Sequence, residues 1–147
     1  GRTLAKYLNS PETELFHKGR LLYNLDRAGK AAREKGAVLV VEGYMDAVML
    51  SQAGFTHTVA TLGTAVTPEH LHLLWKCAPE PILCLDGDAA GERAMLRAAE
   101  IALPLLKPGL TLRFAVLPKG EDPDSLVKNH GPAALEAVIR NARGLSE

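Results

Sequence analysis

The chain has 147 residues, 47% of them apolar but only 5% aromatic, which is enough for one domain with an aliphatic core. No apolar run reaches the roughly 18 residues that span a bilayer, and no leader pattern opens the chain, so we expect no membrane partner and a cytoplasmic setting. The formal net charge of zero hides a division: residues 1–36 carry a net +4, residues 37–147 a net −4. A basic end can track phosphates and an acidic end can hold cations. The bland alternative is a solvated helix face, and for Arg27, Lys30, Arg33 and Lys35 we favour it.

In chain order, residues 1–9 are short and extended in character, and Ser10-Pro11-Glu12-Thr13 signals a turn. The chain opens without Met and reads as a piece of something longer. A helix is expected from about 18 to 35, weakened by Gly29 and ended by Gly36. Val38 to Val41 is an unbroken aliphatic run, suited to a strand buried on both faces. Residues 44–53 read as a helix and 56–60 as a strand. Thr67-Pro68-Glu69 starts a helix that ends near Cys77. Residues 82–85 form a third strand, 89–106 a long helix disturbed by Pro104, and 112–117 a fourth strand. Helices at about 123–129 and 132–142 close the chain. Alternation of this kind predicts an α/β, Rossmann-like domain with four parallel strands in the order 2-1-3-4.

In such folds ligands meet the carboxyl ends of the strands. Strand one ends in Glu42-Gly43, with Asp46 one helical turn beyond. Strand three ends in Asp86-Gly87-Asp88. Strand four runs into Glu121-Asp122-Pro123-Asp124. Taken singly, Asp88 and Asp122 could be helix caps and Asp46 a complement to a helix dipole. Together they would repel one another and raise their own pKa values, a penalty that a cation removes. Oxygen donors without His or Cys favour Mg²⁺ or Mn²⁺ over zinc. Gly43 and Gly87 would let the backbone turn and leave room for a phosphate. Cys77 and Cys84 lack zinc-site spacing and read as buried thiols. The five histidines are given structural or solvent roles, since His70 and His72, two apart on a helix, do not share a face. Trp75 is expected to pack in the core beside Leu71 and Leu74.

The stretch Val40-Val41-Glu42-Gly43-Tyr44-Met45-Asp46, with Leu85-Asp86-Gly87-Asp88-Ala89-Ala90-Gly91, resembles the Toprim signature of bacterial primases, topoisomerases and certain nucleases. Lys6-Tyr7-Leu8-Asn9-Ser10-Pro11-Glu12-Thr13, Phe16-His17-Lys18-Gly19-Arg20, Leu62-Gly63-Thr64 and Gly120-Glu121-Asp122-Pro123-Asp124-Ser125-Leu126 are closer still to DnaG-type primases. Leu4-Ala5 joins Lys6 more abruptly than that pattern, as if a loop were shortened there.

The resemblance implies template-directed synthesis of short RNA primers from NTPs on single-stranded DNA at a bacterial replication fork. It also implies two or more Mg²⁺ or Mn²⁺ ions and no zinc. Glu42, Asp86 and Asp88 would be the catalytic residues. The metal ligands would be Glu42, Asp46, Asp86, Asp88, Asp122 and Asp124, with Glu42 either a ligand or the general base. Lys6, Asn9, Lys18 and Arg20 would hold nucleic acid or NTP. Residues 1–36 would close an N-terminal polymerase subdomain, and residues 37–147 would form the Toprim domain with trailing helices. The fragment is expected to be monomeric, and a replicative helicase would be met through a region outside it. Three competing readings remain: another Toprim enzyme, a non-catalytic nucleotide-binding module, and a response-regulator-type phosphoryl acceptor using Lys119. The last leaves Glu42 unexplained.

Overall fold

The computed structural model describes residues 22–62 and 65–145. The expectations for Arg2, Lys6, Asn9, Lys18 and Arg20, for the loop near Leu4-Ala5, and for Gly63-Thr64 lie outside these residues.

The elements run α1 (Leu25–Lys35), β1 (Leu39–Val41), α2 (Tyr44–Gln52), β2 (Thr58–Ala60), α3 (Pro68–Cys77), β3 (Ile82–Gly87), α4 (Ala89–Ala102), a 3₁₀ turn (Leu103–Leu105), β4 (Arg113–Lys119), α5 (Pro123–His130), α6 (Pro132–Arg140) and β5 (Arg143–Gly144). The sheet order is β2-β1-β3-β4-β5. The first four strands are parallel and in the expected order 2-1-3-4. The fifth was not expected; it adds two residues antiparallel to β4, pairing Arg143 with Phe114 and Gly144 with Arg113.

Strand periodicity sorts the core into two layers. Val40, Leu83, Leu85 and Phe114 join Ala28, Leu71, Leu74 and Ala98 in the layer under α1, α3 and α4. Leu39, Val41, Ile82, Cys84, Ala115 and Leu117 join Leu50, Leu126 and Leu135 in the layer under α2, α5 and α6. The unbroken aliphatic runs of β1 and β3 thus fill both faces, as central parallel strands must. No helix among the described residues is long and apolar enough to cross a membrane.

Two boundaries depart from the sequence reading. The first helix among the described residues begins at Leu25, because Tyr23 pairs in an antiparallel bridge with Ala60. Tyr23 N donates to Ala60 O at 2.8 Å and Ala60 N to Tyr23 O at 3.2 Å. Asn24 then turns the chain at φ 68° into the helix, donating its amide to Thr58 O at 3.2 Å. The long helix α4 stops at Ala102 and tightens into a 3₁₀ turn at Pro104, where the ring removes a helical donor. Trp75 joins the core layer and donates its indole N–H to Thr111 O at 2.9 Å. His70 is buried: its Nδ1 accepts from Thr67 N at 3.2 Å while its own N–H donates to Thr67 Oγ1, a capping role for α3. Cys77 and Cys84 are buried free thiols.

A candidate metal centre at the carboxyl edge of the sheet

β3 lies between β1 and β4, so the carboxyl ends of these three strands are neighbours. Glu42 follows β1 directly and is exposed. Asp46 lies in the first turn of α2, half-buried. Asp86 is the penultimate residue of β3, and Asp88 is the N-cap of α4, accepting from Gly91 N through Oδ1 at 2.7 Å. Asp122 caps α5 reciprocally with Ser125: Ser125 N donates to Asp122 Oδ1 at 2.7 Å and Asp122 N to Ser125 Oγ at 3.0 Å. The capping roles weighed for Asp88 and Asp122 are therefore real. They engage one carboxylate oxygen of each and do not remove the charge.

Electrostatics ties the six acids together. Burial raises the Asp46 carboxyl to about 6, and Asp122, Asp86 and Asp124 push it the same way against a hydrogen bond from the Asp124 backbone. Burial also raises Asp86, helped by Asp122, Asp88 and Glu42. Asp124 Oδ2 meets Lys128 Nζ at 3.2 Å, whereas its Oδ1 is buried with no hydrogen-bond partner. Burial pushes the nearby Cys84 thiol up to about 12, with Asp46 adding to the shift, which removes it as a thiolate ligand.

Such an edge suits a hard divalent cation. Its donors are all carboxylate oxygens, one is buried and unpartnered, and mutual repulsion is the penalty an ion would relieve. Among the described residues no group of three or more His, Cys, Asp or Glu side chains is gathered closely enough to hold an ion. Mg²⁺ commonly keeps several waters and is shared between one or two carboxylates and substrate phosphates, so a closed cage of protein ligands is not what that ion requires.

The glycines act differently from the expectation. Gly43 has φ −101°, open to any residue, so no special turn is made there. A Cβ on Gly87 would lie 2.0 Å from Pro118 O, and one on Gly91 2.0 Å from Asp86 O. Gly87 thus lets β3 meet the end of β4, where its N–H donates to Glu121 O and its carbonyl accepts from Gly120 N. Gly91 seats α4 against the Asp86 backbone, and both glycines fix the spacing of the acids by close backbone approach. Glu121, named at the end of strand four but given no role there, accepts from Ser125 Oγ and lies 3.8 Å from His130.

A parallel sheet with acids from three neighbouring strand ends is what the Toprim resemblance leads one to expect. Residues 36–116 match the Toprim domain family, and the chain belongs to it. Residues 1–29 match the DNA primase catalytic core N-terminal domain. It is 51% identical over 146 residues to the DNA primase of Escherichia coli, an alignment taking in 99% of this chain and 25% of that protein. A DNA primase domain from Pseudomonas aeruginosa superposes with TM-score 0.83 at 48% identity, over 92% of this chain and 43% of that one. A DnaG primase catalytic domain bound to single-stranded DNA gives TM-score 0.83 at 50% identity, over 95% and 45%. The chain spans about a quarter of the length of the curated relative.

Proposed function

We propose that this chain supplies the divalent-metal-dependent catalytic part of a primase that joins NTPs into short RNA primers on single-stranded DNA by nucleotidyl transfer. The observation that carries the reading is the set of mutually coupled carboxylates where the ends of β1, β3 and β4 adjoin. Asp86 and Asp88 are the principal ligands for Mg²⁺ or Mn²⁺. Asp46, Asp122 and Asp124 serve additional ions. Such ions, when bound, stabilise charge on the transferring phosphoryl group and acidify the attacking 3′-hydroxyl.

The chain's own work is positioning. Glu42, exposed at the rim, either completes the ligand set or accepts the hydroxyl proton. Gly91 and Asp88 hold the start of α4 beside Asp86, so the acids keep their spacing as charge builds up. Lys6, Asn9, Lys18 and Arg20 hold phosphates of the NTP or the strand. Residues 1–36 end the N-terminal polymerase subdomain, and residues 37–147 are the Toprim domain with its trailing helices. A replicative helicase would be met by another part of the parent protein.

The test is primer synthesis by the full-length parent enzyme carrying Asp86→Asn. We expect at least a roughly hundredfold loss with a thermal melt that is not lowered in EDTA, a scale set by the loss of one preorganised charge-stabilising group. Normal synthesis by this variant would overturn the assignment.

A further inference from the structure

A cavity of about 310 Å³ opens beside the acid edge, lined by charged groups of both signs and by aliphatic residues of the sheet such as Val40, Leu83 and Leu85. Glu42, Asp86 and Asp88 supply its acids. Ala90, Arg93, Ala94 and Arg97 of α4 also line it. Their spacing of three, one and three places them on a single helix stripe, the pattern that ordinarily turns apolar side chains to a core. Gly91 and Ala98, buried on the same helix, line the cavity beside them. The stripe facing the cavity is exposed at all four positions. Arg93 and Arg97 are the cationic side chains of the cavity lining. Although Glu92 and Glu100 lie on the same helix, neither guanidinium forms an ion pair among the described residues.

We propose that Arg93 and Arg97 are phosphate-binding residues that grip the polyphosphate of a nucleoside triphosphate in the cavity they share with the acid edge. The inference rests on the nucleotidyl-transfer reading and deepens it by assigning the cationic side chains of the same site. The cavity volume sits at the lower end of the range for small-ligand pockets, roughly 300–1,000 Å³, which favours a mononucleotide over a strand. An acid edge repels a polyphosphate unless cations intervene, and the two guanidinium forks supply positive charge where the carboxylates cannot. One helical turn, about 5.4 Å, separates them, so both forks can engage one polyphosphate chain.

The experiment uses the full-length parent enzyme carrying Arg93→Ala with Arg97→Ala, the corresponding double Lys variant, and Arg140→Ala as a surface control. A fluorescent ATP analogue measures equilibrium binding with Mg²⁺ and, separately, in EDTA. Initial rates of primer synthesis give KM and kcat. Losing charge-assisted bonds from two arginines should weaken ATP binding and raise KM roughly tenfold or more, with kcat changed far less. The loss should persist in EDTA, the double Lys variant should recover part of it, and Mn²⁺ binding, template binding and the thermal melt should not move. Unchanged ATP binding overturns the proposal and returns the arginines to a solvated helix face. Weakened template binding with unchanged ATP affinity overturns it in favour of a strand contact. The catalytic reading fails on a different result, normal synthesis by Asp86→Asn, which leaves the direct ATP-binding measurement standing.

Discussion

Asp46 is half-buried in the first turn of α2, and its carboxyl is raised from 3.8 to about 6, first by burial and then by Asp122 and Asp86. Between those two values the folded chain keeps a proton that the unfolded chain has released. Stability therefore falls as pH rises from 3.8 to about 6, and the deficit persists above that. His57 acts in the opposite sense: burial, then Lys35, lowers it from 6.5 to about 4. Its contribution is present above 6.5 and is lost as pH falls toward 4, because the unfolded imidazole takes up its proton first. The buried, unpartnered Nδ1 of His57 gives that loss a structural origin. In EDTA at pH 7, Asp46→Asn should be more stable than the unsubstituted chain by on the order of 1 kcal/mol, discounted for solvent screening. The gain should shrink to nothing near pH 4, and Mg²⁺ should reverse the order by stabilising the chain that binds it better. Thermal melts across that range decide the matter; an equal gain at pH 4 and 7 would mean that the charge on Asp46 is not its source.

At the scale of elements, the helix starts carry two jobs at once. Asp88 caps α4 and also belongs to the acid edge. Asn caps about as well as Asp, whereas Ala loses about 1 kcal/mol at such a position. Asp88→Asn should therefore leave the denaturant midpoint nearly unmoved while weakening Mn²⁺ affinity, and Asp88→Ala should lower both. If Asp88→Asn keeps full Mn²⁺ affinity, Asp88 is a cap and nothing more. The caps at Thr67, Asp88 and Asp122 were legible in the sequence because each is decided within three residues. The start of α1 was not, because Tyr23 is drawn into an extended bridge by Ala60, far along the chain. Nor was β5, whose two residues have no periodicity to read and exist as a strand only against Arg113 and Phe114. Arg93 and Arg97 were hidden for a third reason: charges at helical spacing look the same whether they face water or a cavity.

Across the whole molecule, the strand order was readable because aliphatic runs alternate with capped helices, and that order alone brings Glu42, Asp86 and Asp122 to one edge. What could not be read was how closely they would gather, since that depends on Gly87 against Pro118 and Gly91 against Asp86. The charge division of the chain, +4 over residues 1–36 and −4 over the rest, has a consequence at the same scale. If the basic end meets phosphates while the acid edge serves catalysis, the two functions should separate by mutation. In the full-length parent enzyme, Lys18→Ala should weaken binding to a single-stranded template at every sequence. It should also reduce the slope of log affinity against log salt by roughly 0.7, the release of one phosphate's counterions from a single strand. Glu42→Gln should leave that slope where it is, because an acidic residue neutralises no phosphate, and should instead stop nucleotide addition. Template titrations at several salt concentrations, paired with primer-synthesis assays on both variants, test the division. An unchanged slope and affinity in Lys18→Ala would make that residue a solvated surface charge, and normal nucleotide addition by Glu42→Gln would reduce the acid edge from a catalytic site to a binding one.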